Sequence, residues 1–232
     1  MLMKKHMKRM AAPKSWPIKR KGLKYITRPN PGSHSFELGL PLDVVLKDII
    51  GISKTEREAR NILLFNDVLV DGKRRVDRRF LVGFMDVVSI SSIKKNFRLI
   101  LSRIGKLIAV EIGDEEAKIK PCKITGKALV GNKIQINLFD GRNILTDKKS
   151  DNYNIGDVLV LNLPKGDIKT SFKLNEGMAI FLQSGKHVGE VGKIEKIEGD
   201  KIRYRSDSGE VFETLKKYAF VLGKDKPVIS LK

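Results

Sequence analysis

The sequence is short of the side chains that do chemistry. Among 232 residues there is one cysteine, Cys122, and there are three histidines, His6, His34 and His187. One thiol excludes an internal disulfide, and Cys122 is expected to be a small buried or half-buried residue. Three dispersed histidines give no metal-ligand spacing, so no metal is expected. No apolar run approaches the roughly 20 residues needed to cross a bilayer, and the first residues lack the apolar core of a signal peptide. A soluble, cytoplasmic protein with no membrane partner is expected. Acid is scarce as well: 27 Asp and Glu face 46 Lys and Arg, for a net charge of +19. Such an imbalance repels itself in the folded state and requires a polyanion to neutralise it.

Catalytic constellations are also missing. Gly185-Lys186 suggests a nucleotide phosphate loop, but Ile180 holds the place of the earlier glycine and His187 replaces the hydroxyl residue that would hold magnesium. Nowhere does spacing suggest a nucleophile with a base and an orienting acid. Together with the family resemblance given below, the expectation is a protein that is not an enzyme, with no cofactor and no small-molecule substrate.

What the sequence has is cationic charge, unevenly spread. Residues 1–30 hold Lys4, Lys5, Lys8, Arg9, Lys14, Lys19, Arg20, Lys21, Lys24 and Arg28 and no acid. Pro13, Pro17, Pro29 and Pro31, with Gly22 and Gly32, forbid a long helix, so this extension is expected to be extended and mobile alone and to order on a polyanion. Trp16, the only tryptophan, has two readings here, stacking on a base or packing on the body as an anchor.

Residues 42–90 carry the richest pattern. Leu42, Val45, Leu46, Ile49 and Ile50 recur at helical spacing between Pro41 and Gly51. Ser53-Lys54-Thr55-Glu56 reads as a capping box that opens a second helix. On that helix Ala59, Ile62 and Leu63 share one face; Lys54, Arg57 and Asn61 lie opposite, with Arg60 on the flank. Val68-Leu69-Val70 followed by Asp71-Gly72 predicts a strand and a two-residue hairpin turn. Lys73, Arg74, Arg75, Arg78 and Arg79 follow against the single Asp77. Guanidinium forks match phosphate oxygens, so this surface reads as phosphate-binding rather than merely solvated.

Helix, helix, Val68-Leu69-Val70-Asp71-Gly72-Lys73 and a closing strand in Asp86-Val87-Val88-Ser89-Ile90 resemble the alpha-L RNA-binding domain. That likeness implies RNA without saying which. The stretch from His6 to Trp16, then Arg28-Pro29 to Gly32 with His34, then Gly83-Phe84-Met85-Asp86-Val87 and Phe97-Arg98-Leu99 narrow it. In order and over essentially the whole chain, these resemble the archaeal and eukaryotic small-subunit ribosomal proteins of the S four e (S4e) family. The chain stops at Lys232, where eukaryotic members continue with a further basic segment, so an archaeal-type member is expected. Asp140-Gly141-Arg142-Asn143-Ile144-Leu145 has a superficial likeness to pseudouridine synthases, which can also carry alpha-L domains. Asn143 and Ile144 stand where Leu and the nucleophilic Asp should be, which argues against a modifying enzyme.

Beyond Lys94 the pattern is of short alternating segments such as Lys133–Phe139 and Val158–Leu161, punctuated by glycines, which predicts antiparallel β-structure. Asp114–Lys118 reads as one helical turn. Gly177–Leu182, Gly185–Gly189 and Gly192-Lys193-Ile194 resemble the KOW motif of SH3-like barrels, with Lys186, His187 and Lys193 as contacts and glycines that let the loop approach a phosphate backbone.

The expected fold is thus α+β and multidomain: a basic extension over 1–41, an alpha-L domain over 42–93, a central antiparallel β domain over 94–171, and a KOW-containing SH3-like barrel over 172–232. The family resemblance implies a structural constituent of the small ribosomal subunit that binds rRNA beside neighbouring ribosomal proteins. A free-standing RNA-binding regulator or RNA-modification factor built on the alpha-L domain stays open as the alternative. Candidate RNA-binding residues are Lys4, Lys5, Lys8, Arg9, Lys14, Trp16, Lys19, Arg20, Lys21, Lys54, Arg57, Arg60, Lys73, Arg74, Arg75, Arg78, Arg79, Lys186, His187 and Lys193.

Overall fold

The computed structural model describes residues 6–148, 152–224 and 227–231. Mostly β with few helices, the fold is α+β and falls into two compact units. The first runs to Lys118 without Ser102–Ile104; the second takes those three residues and the chain from Ile119 onward.

In the first unit the basic segment is folded, not a free arm. Strands β1 (His6–Lys8) and β2 (Tyr25–Thr27) pair antiparallel. Trp16 is 1% exposed, its ring 5.5 Å from that of Phe36. Ser15 O accepts from Leu107 N at 2.8 Å. Burying an indole and pairing two strands offsets the ordering entropy that a cationic tail alone could not.

Strand β3 (Gly39–Pro41) leads into α1 (Leu42–Val44), which widens into a π-helical turn over Val45–Ile49, closed by Ile50 N to Val45 O at 2.9 Å. The expected first helix is therefore present but wide, with Leu42, Val45 and Leu46 buried and Gly51 at φ 78° ending it. Helix α2 (Glu56–Phe65) buries Ala59 and Leu63, as the 3.6-residue period predicts. Its cap is a correction. Thr55, not Ser53, accepts from Glu58 N at 3.2 Å, while Glu58 Oε2 accepts from the amides of Lys54 at 2.7 Å and Thr55 at 3.3 Å. Two capping boxes overlap in the sequence. The backbones of Ile52 and Ser53 are already bonded back to Leu46 O, which leaves Ser53 buried outside the helix and Glu56 free to pair with Arg78.

Strands β4 (Val68–Val70) and β5 (Lys73–Arg74) form the expected hairpin, with Asp71 at φ 51° and Gly72 at φ 73°. Strand β6 (Leu81–Gly83) pairs with β3. Strands β7 (Val87–Ile90), β8 (Lys95–Leu101) and β9 (Leu107–Ile112) complete an antiparallel sheet of order β5-β4-β7-β8-β9. The border expected at Lys94 thus falls inside this sheet. The tight turn ending at Lys94, φ 51°, sends β8 straight back onto β7. Alternation predicts a strand but not which sheet it joins. Helix α3 (Asp114–Ala117) is the expected single turn; buried Arg98 donates to Glu116 O at 2.9 Å beneath it.

The second unit holds two five-stranded antiparallel sheets. Strands β10 (Ile119–Val130), β11 (Lys133–Leu138), β12 (Asn143–Asp147), β13 (Val158–Asn162) and β14 (Asp167–Phe172) have the order β12-β11-β10-β13-β14. Cys122, buried as expected, packs with Ile124, Ile136, Leu138, Leu159 and Leu161. Strands β15 (Ala179–Leu182), β16 (Val191–Glu198), β17 (Lys201–Ser206), β18 (Val211–Leu215) and β19 (Ala219–Gly223) have the order β18-β17-β16-β15-β19. Lys123 reaches from the first sheet toward the second. Its ammonium donates to Lys217 O at 2.8 Å and Ala219 O at 2.6 Å, and burial, then nearby Lys216, pushes its pKa down to about 8.

Candidate nucleic-acid interface

The cationic surface is built on α2 and the β4–β5 hairpin. The apolar face of α2 is fixed by Ala59 and Leu63 in the core, so Arg57, Arg60 and Asn61 must face solvent, and they do. Lys54 beside the cap and Lys73 beside the hairpin turn are exposed too. The Lys54 amide, then that of Thr55, holds the Glu58 carboxyl below its ordinary range, so the first turn stays anionic at its backbone end.

The arginines after the turn are held by the protein itself. Arg74 Nε lies 3.1 Å from Asp67 Oδ1, and Arg78 Nη1 lies 3.0 Å from Glu56 Oε2. Arg79 Nε donates to Arg28 O at 3.0 Å. The Arg75 guanidinium sits 4.3 Å from the centre of the Phe80 ring. A guanidinium has five N–H donors, so one anchoring bond orients the fork and leaves donors for phosphate. These side chains are pre-positioned, whereas Lys54, Arg57, Arg60 and Lys73 stand out into solvent.

Within the basic segment Lys8, Lys14, Lys19 and Lys21 are exposed. Lys4 and Lys5 lie outside the described residues. Two candidates are corrected outright. Arg9 is buried and donates to Lys19 O at 2.9 Å, and Trp16 is buried against Phe36, so neither presents a face to RNA. Arg20 is a staple: its guanidinium donates to Ala12 O and Pro13 O, both at 2.8 Å. Both arginines answer a local need, since a proline-interrupted segment has few backbone partners of its own and its carbonyls bond to side chains instead.

In the second unit Lys186 and Lys193 are exposed, but His187 is engaged. Its ring lies 4.1 Å from that of Phe212, and Nδ1 is 3.3 Å from Glu190 Oε1. Gly189 also has a different reason from the one expected. At φ 78°, a Cβ there would overlap the Ser102–Arg103 backbone, so the close approach is to protein.

Sequence reasoning missed Phe65 and Phe36. The ring of Phe65 closes α2 at 82% exposure, beside half-exposed Leu64, and Phe36 is 42% exposed. An exposed aromatic offers a face on which a base could stack, but apolar residues in sequence are assigned to cores by default.

Comparison with known proteins places this architecture. The model described as "Ribosomal family S4e" matches residues 93–168, and that of the RS4NT (NUC023) domain matches 1–37. The small ribosomal subunit protein eS4 of Methanosphaera stadtmanae is 46% identical, covering 98% of this chain and 96% of its own. The chain belongs to the S4e family. The eS4 protein of Methanothermobacter thermautotrophicus is 40% identical over 100% of this chain and 97% of its own. The crystal structure of the 30S ribosomal protein S4e from Thermoplasma acidophilum superposes with a TM-score of 0.70 at 33% identity, covering 81% of this chain and 96% of that one. The S4e relatives bear ribosomal names rather than enzymatic ones, in keeping with the expected structural role.

Proposed function

We infer that this S4e chain is a structural constituent of the small ribosomal subunit, of archaeal type, that binds and stabilises folded small-subunit rRNA and so supports translation in the cytoplasm. The observation that carries the reading is its alignment over nearly its whole length with eS4 relatives, joined to the exposed cations of α2 and the hairpin. In the finer reading, residues 42–93 act as an alpha-L-like RNA reader and 172–232 as a KOW-like, SH3-type barrel. Lys54, Arg57, Arg60 and Lys73 replace condensed counterions on the phosphates, while oriented Arg74, Arg78 and Arg79 fix register. Shape of the A-form groove, rather than base edges, sets most of the selectivity. Neighbouring ribosomal proteins are the protein partners of this reading.

The test is sedimentation of native lysate on a sucrose gradient, with and without a wash of roughly 0.5 M salt. Stoichiometric recovery in the small-subunit peak after the wash is expected. Recovery at the top of the gradient would overturn the ribosomal assignment in favour of a free-standing RNA-binding regulator.

A further inference from the structure

The first unit contains a cavity of about 330 Å³, of whose lining residues the preceding reading uses only Arg79. Small-ligand pockets span roughly 300–1,000 Å³, so this one admits a single nucleotide and not a folded strand. Pro29, Pro31, Phe36 and Leu81 give it apolar walls, and Arg28 and Arg79 are the cationic residues that line it. Among the described residues, no carboxylate lines it.

The walls are fixed in several independent ways. Asn30 N donates to Arg79 O at 2.8 Å, Asn30 Nδ2 donates to Asp77 Oδ2 at 2.6 Å, and Arg79 Nε holds Arg28 O. On the other side His34 Nε2 lies 2.9 Å from both carboxylate oxygens of buried Asp86, whose Oδ2 also accepts from Gly83 N at 2.8 Å. The ring of Phe36 is tilted 50° against buried Trp16, which holds it from behind while much of its surface stays open. A simple anion would satisfy the arginines and leave the aromatic and proline walls wet. A purely apolar ligand would do the reverse. A nucleotide satisfies both, its base against the ring and its phosphates on the guanidinium forks.

We propose that this cavity takes one unstacked nucleotide of the bound RNA, with the base stacked on Phe36 and the flanking phosphates held by Arg28 and Arg79. The proposal rests on the rRNA-binding reading. Trp16, the tryptophan that sequence offered for stacking, serves as the support of the ring that does it.

The experiment uses the full chain with an archaeal small-subunit rRNA transcript carrying 4-thiouridine, and maps the photocrosslinks by peptide. A crosslink in the peptide containing Phe36 is expected; crosslinks confined to α2 and the hairpin would overturn the pocket and leave rRNA binding intact. In filter binding, Phe36→Leu, which keeps an apolar contact for Trp16, is expected to weaken affinity roughly tenfold, and Phe36→Tyr to stay within about twofold. Arg28→Gln, at an exposed side chain, should make the salt dependence shallower by about one unit of slope. Wild-type affinity and slope in both Phe36→Leu and Arg28→Gln would also overturn it. Absence of binding by the wild-type chain would overturn the functional reading itself.

Discussion

The two ends of the chain handle charge in opposite ways. Residues 1–30 carry ten cations without an acid, and α2 with the hairpin adds an exposed set whose few acids are spent orienting arginines. The terminal sheet is just as ionic but nearly neutral in effect. Residues 172–232 set twelve Lys and Arg against nine Asp and Glu. Across its strands Arg203 pairs with Glu213 at 3.1 Å and Arg205 with Glu195 at 2.7 Å. Such surface pairs contribute little stability, but they cancel the field that would attract a polyanion. Total charge therefore says that a polyanion binds; only the local balance says where.

The interiors differ too. In the second unit the buried carboxylate of Asp140 lies 3.2 Å from Lys120 Nζ and 3.1 Å from Arg142 Nε. In the first, buried Asp43 accepts from the Thr27 hydroxyl at 2.6 Å, and burial pushes its carboxyl above the ordinary range, opposed by that hydrogen bond. The largest expected effect breaks the better-paired site. Asp140→Asn deprives the buried Lys120 ammonium of its carboxylate and should cost about 3 kcal/mol or more, read by denaturant unfolding. A cost under about 1 kcal/mol would show that Lys120 does not depend on the Asp140 carboxylate.

The surface contrast is tested by matched neutralisation. Lys54→Gln, Arg57→Gln, Arg60→Gln and Lys73→Gln together should weaken rRNA binding at least tenfold, about 1.4 kcal/mol, and flatten its salt dependence. The same change at Lys196, Lys201, Arg203 and Arg205 should stay within about threefold. Equal losses would erase the distinction between the regions.

Asp43→Asn should act opposite in sign to Asp140→Asn. A raised folded-state pKa means stability that is fully present below the unfolded value, about 3.9, and lost as pH rises. The amide avoids that loss, so the variant should melt higher at pH 7, with the gain fading toward pH 4; a gain that persists in acid would rule out this cause. Smallest is the cap. Glu58→Ala should lower the melting temperature slightly at pH 7, by loss of the reciprocal half of the capping box. Because the folded-state pKa of Glu58 is depressed, that contribution is present above the unfolded value and disappears as pH falls through the folded one. Thermal melts across pH 3–7 check both variants.

Much of this was legible in the residues. The period of Ala59, Ile62 and Leu63 oriented α2 and thereby its cations, and Asp71-Gly72 marked a turn because both positions need positive φ. The family signature was legible because its motifs run in order from His6 to Leu99. Less was legible where two local patterns competed. Ser53 and Thr55 both head a capping box, and contact with Leu46 decided between them. The strand of Lys95–Leu101 was visible, but its sheet was not.

The sequence by itself determined the charge, the face of α2, the hairpin turn and the family, because these depend on residue identity and short-range spacing. Tertiary structure alone decided which cations are available. Arg9 and Arg20 read in the sequence like Lys8 and Lys19, yet the first two close hydrogen bonds inside the fold and the others face solvent. It also turned Trp16 inward and left Phe36 open, since which aromatic is buried depends on what the distant β9 strand brings against the segment. Burial and pairing between residues far apart in the chain are properties of the packed molecule, and no local pattern encodes them.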